Sequence, residues 1–368
     1  MAVKILEIVA DGSPGGGTTN VLGLIEDIQR ARSDSATVHF ISDSSSFALE
    51  RAGQLGARCY GVNFFRSRLD FFASRKLAKL IDRIKPDLIH VHGGRAAFFL
   101  SLTSAPSRIP TVYTVRGFHF LHKDPVTRFW AVTAERWISR RVARTVLVCN
   151  YDLALGHKWR LFGSGHKCSV IYNGINRAVI PTGGKQNPKT VGWLGRFDYQ
   201  KDPQFVVAVA EILAREGYRF KLIGGGDLEP DVKRQISDAG LGDAVTITGS
   251  LSHKEALAEL STVSSFILPS RWEGLPIAPV EAMWMKIPVV ASSVSGIPEI
   301  IETDINGILI DERDPAQYAA AIRRIDTTPD LRARFVAAGI STIKEKFLRE
   351  RNAAAYLDLY DELKVPSK

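Results

Sequence analysis

Cysteine is scarce in this chain: three among 368 residues, Cys59, Cys149 and Cys168, widely spaced and without a partnering histidine pattern. An odd count at such spacing gives neither a disulfide framework nor a zinc-ligand set, and it fits a reducing, cytoplasmic setting. No stretch reaches the roughly 18 uncharged apolar residues that a bilayer span needs, so an integral membrane protein is not expected. A cleavable leader is not expected either. Lys4 and Glu7 interrupt the first apolar residues (Val3, Ile5, Leu6, Ile8, Val9), which read instead as a buried first strand. The glycine-rich run Gly12-Ser13-Pro14-Gly15-Gly16-Gly17 lacks the Lys-Ser/Thr ending of a P-loop and the downstream acid of a dinucleotide fingerprint, which removes support for an ATPase or a dehydrogenase.

Apolar residues make up 45% of the chain and charged residues 24%, an ordinary globular balance, and the length suits two domains. The net charge of +9 is unevenly spread. Residues 1–178 hold 25 Lys and Arg against 13 Asp and Glu, or +12, and the remainder hold 23 against 26, or −3. The positive field of the first half suits an anionic partner there, such as a phosphorylated lipid, a membrane surface or an acidic saccharide; a merely solubilising face is the competing reading. No nucleic-acid recognition module is evident, so nucleic acid is not an expected partner.

Strand-like runs at Val3 to Val9, Thr37 to Ile41, Leu88 to Val91, Thr111 to Val115 and Thr145 to Val148 alternate with amphipathic segments, the mark of βαβ units in a parallel, doubly wound sheet. The pattern lapses between Ile171 and Val191, around Asn173-Gly174, Pro181 and Pro188, where a linker is expected. A second series follows at Val191 to Leu194, Phe220 to Ile223, Ala244 to Ile247, Ser265 to Leu268 and Val289 to Ala291. The expectation is α/β architecture with Rossmann-like domains over 1–180 and 181–347, a final helix over 348–368 packing back toward the first, and ligand at the carboxyl ends of the strands in a central cleft.

The stretch from Pro269 to Met285 follows a buried strand and carries Glu273 and Glu281 eight positions apart. Gly274, Pro276 and Pro279 suit a turn into a helix whose first turn tolerates proline. Eight helical residues rise about 12 Å, so these carboxylates are not the close pair of a glycoside hydrolase. They suit the bracketing of one elongated ligand, with phosphate at the helix start and ribose hydroxyls at Glu281; two solvated glutamates are the alternative. Gly195-Arg196 ends the first strand of the second half, and Lys201 lies just before Asp202-Pro203 and a new helix. Two cations there suit a departing diphosphate without a metal, although each alone also reads as surface charge. Gly224-Gly225-Gly226-Asp227 permits close backbone approach or a simple turn. Thr248-Gly249-Ser250-Leu251 ends another strand, where main-chain groups suit a nucleobase. The loop through Gly15, Gly16 and Gly17 suits a phosphate or sugar against bare backbone.

Together, Glu273 with Glu281, Gly195-Arg196 with Lys201, Gly15-Gly16, the Asn173-Gly174-Ile175 turn and the two-domain layout resemble the retaining glycosyltransferases of family 4, glycosyl transferases group 1, which have the GT-B fold. The resemblance spans nearly the whole chain. It implies a hexosyl- or N-acetylhexosaminyl-transferase that uses a nucleoside-diphosphate sugar, a UDP-sugar being favoured, with no further cofactor and no metal. The Asp-x-Asp metal motif of the other major transferase fold is absent. It further implies Arg196 and Lys201 on the pyrophosphate, Glu281 on the ribose, Glu273 with the Gly274 and Leu275 backbone on the sugar, and Leu251 at the base. Gly16 and Gly17 would approach the diphosphate from the first domain. In Tyr113-Thr114-Val115-Arg116-Gly117-Phe118-His119-Phe120, Arg116 stands where the family usually has a histidine before the glycine, and His119 matches a recurrent position. Arg116 and His119 are both candidates to face the reacting carbon, and Arg116, always protonated, suits charge stabilisation rather than a general base.

On the acceptor side the expectation is a glycan or lipid-linked acceptor in surface polysaccharide or glycolipid synthesis, with contact to an anionic membrane, at its inner face. Leu77, Leu80, Ile81 and Ile84 recur at helical spacing among Arg75, Lys76, Lys79, Arg83 and Lys85, with Phe64, Phe65, Phe71 and Phe72 just before. That is either a helix on the membrane surface or one packed on the first sheet, and packing is the favoured reading. Arg136, Arg140, Arg141 and Arg144 are expected to thicken the basic face. A nucleotide-sugar epimerase of the same architecture and a non-catalytic sugar-nucleotide- or lipid-binding subunit are the alternative functions.

Overall fold

A computed structural model describes residues 2–65, 71–181 and 184–363, apart from the side chains of Phe71 and His119. The chain divides into two compact units, residues 1–173 with 349–368, and residues 174–348.

In the first unit β1 (Val3–Val9), β2 (Ala36–Ser42), β3 (Arg58–Gly61), β4 (Leu88–His92), β5 (Thr111–Val115), β6 (Arg144–Leu147) and β7 (Cys168–Val170) form one parallel sheet, ordered β3-β2-β1-β4-β5-β6-β7. Its central strands are near-continuous apolar runs because helices cover both faces. These helices are α1 (Gly16–Ala31), α2 (Phe47–Gln54), α3 (Phe71–Ile84), α4 (Gly94–Ser101), α5 (Pro125–Ser139) and α6 (Asn150–Lys158). The stripe Ala73, Leu77, Leu80, Ile81 and Ile84 of α3 is buried in the core beside Phe99 of α4 and Val132 of α5, so α3 is a packed helix with a solvated basic edge. Asp124 caps α5, its carboxylate accepting from the amides of Val126 and Thr127, and Pro125 occupies the first turn, where no amide hydrogen is needed.

The second unit repeats the plan. Strands β8 (Asn187–Leu194), β9 (Arg219–Ile223), β10 (Val245–Ile247), β11 (Val263–Leu268), β12 (Val289–Ser292) and β13 (Ile308–Ile310) are parallel, in the order β10-β9-β8-β11-β12-β13. Helices α7 (Pro203–Leu213), α8 (Glu229–Asp238), α9 (His253–Leu260), α10 (Ala278–Trp284), α11 (Pro315–Thr327) and α12 (Pro329–Lys346) surround them. Strand order reverses between β1 and β4 in one sheet and between β8 and β11 in the other. Loops diverge at such switch points and leave a crevice above the strand ends. The segments entering and leaving this unit are tied together, Ile175 N donating to Phe347 O at 2.9 Å.

The last helix, α13 (Arg349–Leu363), belongs to the first unit. Arg349 clamps α1 through Asp27 at 2.7 Å, Glu26 at 2.7 Å and Gly23 O at 2.8 Å, and Tyr356, Leu359 and Tyr360 join the core with Ile5, Val38 and Val112.

Candidate functional site

In the second unit the expected residues gather on loops at the carboxyl ends of the strands. Lys201, after β8, places Nζ 2.6 Å from Glu273 Oε1, after β11, so one ion pair bridges the two loops that diverge at the switch point. Gln200 donates to Glu273 Oε2 at 3.3 Å, and the Glu273 amide donates to Ser295 Oγ at 3.2 Å. Glu273 is buried, and the alternative of two solvated glutamates fails for Glu281 as well, which is 4% exposed. The expectation divided Lys201 and Glu273 between diphosphate and sugar, whereas here they are partners. The cation offsets the desolvation cost of a buried carboxylate, which would otherwise favour its protonated form.

The loop carrying Arg196 and Lys201 is stapled from below. Asp202 takes a left-handed φ of 50° and, although it precedes α7, makes no side-chain cap, since its carboxylate receives Arg271 at 2.7 Å and also Arg313. Arg313 reaches on to Pro269 O at 2.9 Å, and Arg271 stacks over Tyr199 at 4.2 Å. Arg196, by contrast, reaches out: its side chain is 68% exposed and touches Asp198 at 3.0 Å. The glycines after β9 serve the chain itself. A Cβ on Gly224, whose φ is 133°, would stand 2.0 Å from Gly195 O, and one on Gly226 2.9 Å from the Phe197 backbone. Gly224 N donates to Thr248 Oγ1 at 3.3 Å, which joins the loops after β9 and β10. Gly274 and Leu275 are buried beside Glu273, and Leu251 is half-buried.

Glu281 sits in the first turn of α10 and accepts from His253 Nε2 at 2.7 Å. The hydrogen bond that His253 donates to Glu281, against the cost of burial, raises the His253 pKa above its ordinary 6.5. Sequence reasoning passed over His253. Its signal was Ser252 with Glu255 three residues on, a capping box that fixes the first turn of α9 and with it the place of His253.

In the first unit Glu7, mid-strand in β1 and fully buried, receives His92 Nε2 at 2.7 Å and the Tyr360 hydroxyl at 2.8 Å. His90 donates from Nδ1 to that tyrosine and bonds Thr114 Oγ1 at 2.7 Å through Nε2. Arg116 closes the network, donating to His92 Nδ1 at 3.1 Å and to Asn173 Oδ1 at 2.8 Å. Burial and the neighbouring His90 hold His92 down at about 3, against the pull of Glu7, and burial likewise lowers Arg116. His92 is therefore neutral, with Nε2 carrying the hydrogen. Glu7, His90 and His92 are the one group of three or more metal-type ligands among the described residues. The guanidinium on His92 Nδ1 and the hydroxyl on Glu7 suit an internal hydrogen-bond network better than a cation's donor set. Arg116 is thus pinned at the carboxyl end of β5, and the His119 side chain lies outside the described residues.

Gly15, Gly16 and Gly17 open α1, and an added Cβ on any of them meets nothing within 4 Å, so this backbone is bare. Beside it, Asp11, Ser13, Asp43, Ser45, Phe47 and Phe65 line part of a cavity of about 510 Å³ above the ends of β1 and β2, a wall that brings hydroxyls, carboxylates and two aromatic rings together among the described residues. A second missed residue is Glu135 on α5. It receives the Tyr113 hydroxyl at 3.1 Å and lies against Gly94 at the start of α4, and burial raises it to about 7. The expected arginine face is a correction. Arg136 is spent on the carbonyls of Trp159 and Arg160, Arg141 on that of Thr103, and Arg144 on Glu362 and Ser169, which leaves Arg140 exposed. Exposed apolar surface gathers instead on α5, where Val126, Phe129 and Trp130 share one helical face at 67%, 63% and 65% exposure.

Two family models meet end to end along the chain. Glycosyltransferase Family 4 matches residues 14–179 and Glycosyl transferases group 1 matches residues 178–342. The chain is 28% identical over 268 residues to the alpha-D-kanosaminyltransferase of Streptomyces kanamyceticus, covering 67% of this chain and 69% of that protein. It is 27% identical over 271 residues to the Escherichia coli UDP-Gal:alpha-D-GlcNAc-diphosphoundecaprenol alpha-1,3-galactosyltransferase, covering 68% of each. Among solved structures, Anabaena HepE in complex with UDP-glucose matches with a TM-score of 0.82 at 18% identity, over 98% of this chain and 99% of that one.

Proposed function

The chain is a glycosyltransferase of the GT-B, family 4 type, and from that premise we propose that it moves a hexosyl or N-acetylhexosaminyl unit from a UDP-sugar to a glycan or lipid-linked acceptor, with retention of anomeric configuration, in polysaccharide or glycolipid synthesis. The observation that carries this reading is the Lys201–Glu273 pair, buried at the switch point of the second sheet, with the buried Glu281 on the following helix. Arg196 and Lys201 take the diphosphate and offset the charge that grows on the leaving group. Glu281 accepts from the ribose hydroxyls. Glu273 and the backbone of Gly274 and Leu275 hold the sugar, and Leu251 packs at the base. Lys201 turns from Glu273 to the phosphates when donor arrives, which frees Glu273 for sugar hydroxyls.

In the first unit Gly16 and Gly17 offer bare amides to a phosphate, Arg116 and His119 serve the reacting centre, and the hydroxyls and carboxylates of the cavity beside Asp43 suit the hydroxyl groups of an acceptor sugar. The galactosyltransferase relative acts on a diphosphoundecaprenol-linked sugar, which supports a lipid-linked acceptor. Among the described residues no helix is long and apolar enough to cross a membrane, and contact with an anionic membrane is assigned to the α5 face.

Incubation with a panel of UDP-sugars, with and without membrane lipid extract, tests the reading through nucleotide release. Release that needs acceptor and falls by at least about 100-fold in Glu273→Ala is expected. Sugar conversion without acceptor indicates an epimerase, and a Glu273→Ala variant transferring at full rate removes the role given to Glu273.

A further inference from the structure

Glu281 is held from one side only. Its Oε1 accepts from His253 at 2.7 Å, while among the described residues its Oε2 carries no hydrogen bond. The glutamate side chain is 5% exposed and the histidine 42%, so the imidazole stands between a buried carboxylate and solvent. The backbone of His253 is fixed independently: Ser252 Oγ accepts from the Glu255 amide at 3.3 Å, and Glu255 Oε2 accepts from the Ser252 amide at 2.9 Å. Resting on the reading that Glu281 takes the ribose, we propose that His253 is a positioning residue for the donor. It holds Glu281 by Oε1 so that Oε2 meets the ribose hydroxyls of a nucleoside diphosphate, and its positive charge offsets that carboxylate beside the diphosphate.

The surroundings leave this work to one pair. Glu281 on α10 is the charged group that acts on the imidazole. On α9 itself Glu255 is turned back to Ser252. From the strands packed against α9, Lys221 is paired with Glu259 at 2.6 Å, and Lys189 with Glu216 O at 3.0 Å. Lys201 is matched by Glu273. With the His253 pKa raised by its hydrogen bond to Glu281, the imidazolium persists to higher pH than a free histidine's and is lost as pH rises further. Donor affinity therefore declines as pH rises, because the carboxylate beside the phosphates loses its neutralising partner.

Calorimetric titration of the full chain with UDP-glucose at pH 6, 7 and 8 tests this; the two phosphate groups of that probe keep a constant charge over the range. The expected result is a wild-type affinity that falls roughly threefold to tenfold from pH 6 to 8. His253→Ala is expected to bind about tenfold more weakly at pH 6 with a flat pH profile. His253→Gln, which keeps an N–H donor, recovers most of the pH 8 affinity without the slope. In turnover, donor KM rises and kcat is retained. Wild-type affinity and slope in His253→Ala overturn the proposal, as does a flat profile in the wild type. Glu281→Ala separates the two levels. If it binds UDP-glucose as tightly as wild type, or if the wild type binds none of the panel of UDP-sugars, the donor reading itself falls. If Glu281→Ala alone loses binding, only the role of His253 is refuted.

Discussion

A charged residue inside a strand is an anomaly that asks for a partner. Glu7 looks in sequence like a residue that merely breaks an apolar run, and its partners lie at 90, 92 and 360, where no local pattern links them. The same distance hid His253 from Glu281 and Glu135 from Tyr113, while Glu273 and Glu281, eight positions apart, and Lys201, five after Arg196, stood out as candidates because each follows a strand end within a short stretch of sequence. The Glu7 network sets an acid limit on the first unit. Native His92 stays neutral down to about 3, and Glu7 lies well below its ordinary 4.5, whereas the unfolded chain protonates them near 6.5 and 4.5. Both pKa values are depressed in the folded state, so this stability is complete above pH 6.5 and drains away as pH falls, at about 1.4 kcal/mol for each pKa unit. Glu135, raised to about 7, acts in the opposite sense between pH 4.5 and 7, so the experiment uses Glu135→Gln. In that background, the protection factors of amides in β1 and β4, taken against the intrinsic exchange rate at each pH, fall from pH 7 to pH 5; equal protection at both contradicts the assignment.

Among elements, the central strands and most helices followed from apolar period and turn residues. Missing were β3, β7 and β13, of three or four residues and lying toward the sheet edges, where a single neighbour asks for little apolar sequence. Glycines divide by what surrounds them. Gly224→Ala forces a Cβ into the Gly195 carbonyl at a positive φ, and the second unit is expected to lose about 3 kcal/mol or more in urea titration. Gly16→Ala meets open space, so melting is expected to stay put while donor turnover reports whether the bare backbone matters. For α5, the double variant Phe129→Ser, Trp130→Ser is expected to float free of anionic phosphatidylglycerol vesicles that retain the wild type at low salt. Equal retention of both proteins assigns the apolar face another use.

In the whole molecule, α13 supplies Arg349, Asn352, Tyr356 and Tyr360 to a unit whose other residues end at 173. Removal of residues 349–368 leaves Glu7 without its hydroxyl partner and strips the cover from Ile5 and Val112. The loss is expected to exceed about 4 kcal/mol, enough to unfold the first unit while residues 174–348 stay intact. Limited proteolysis decides it, with a resistant fragment beginning near Gly174. Survival of the first unit in the truncated chain shows its core to be self-sufficient.

That arrangement also orders events on the ribosome. Residues 174–348 are continuous and can close their sheet as soon as they emerge, whereas the unit begun first must wait, with Glu7 and two histidines unsheltered, until codons for the final helix are read. During synthesis the later half is thus expected to be the earlier to mature, and a nascent chain stalled before Arg349 to hold its first sheet open after the second has closed.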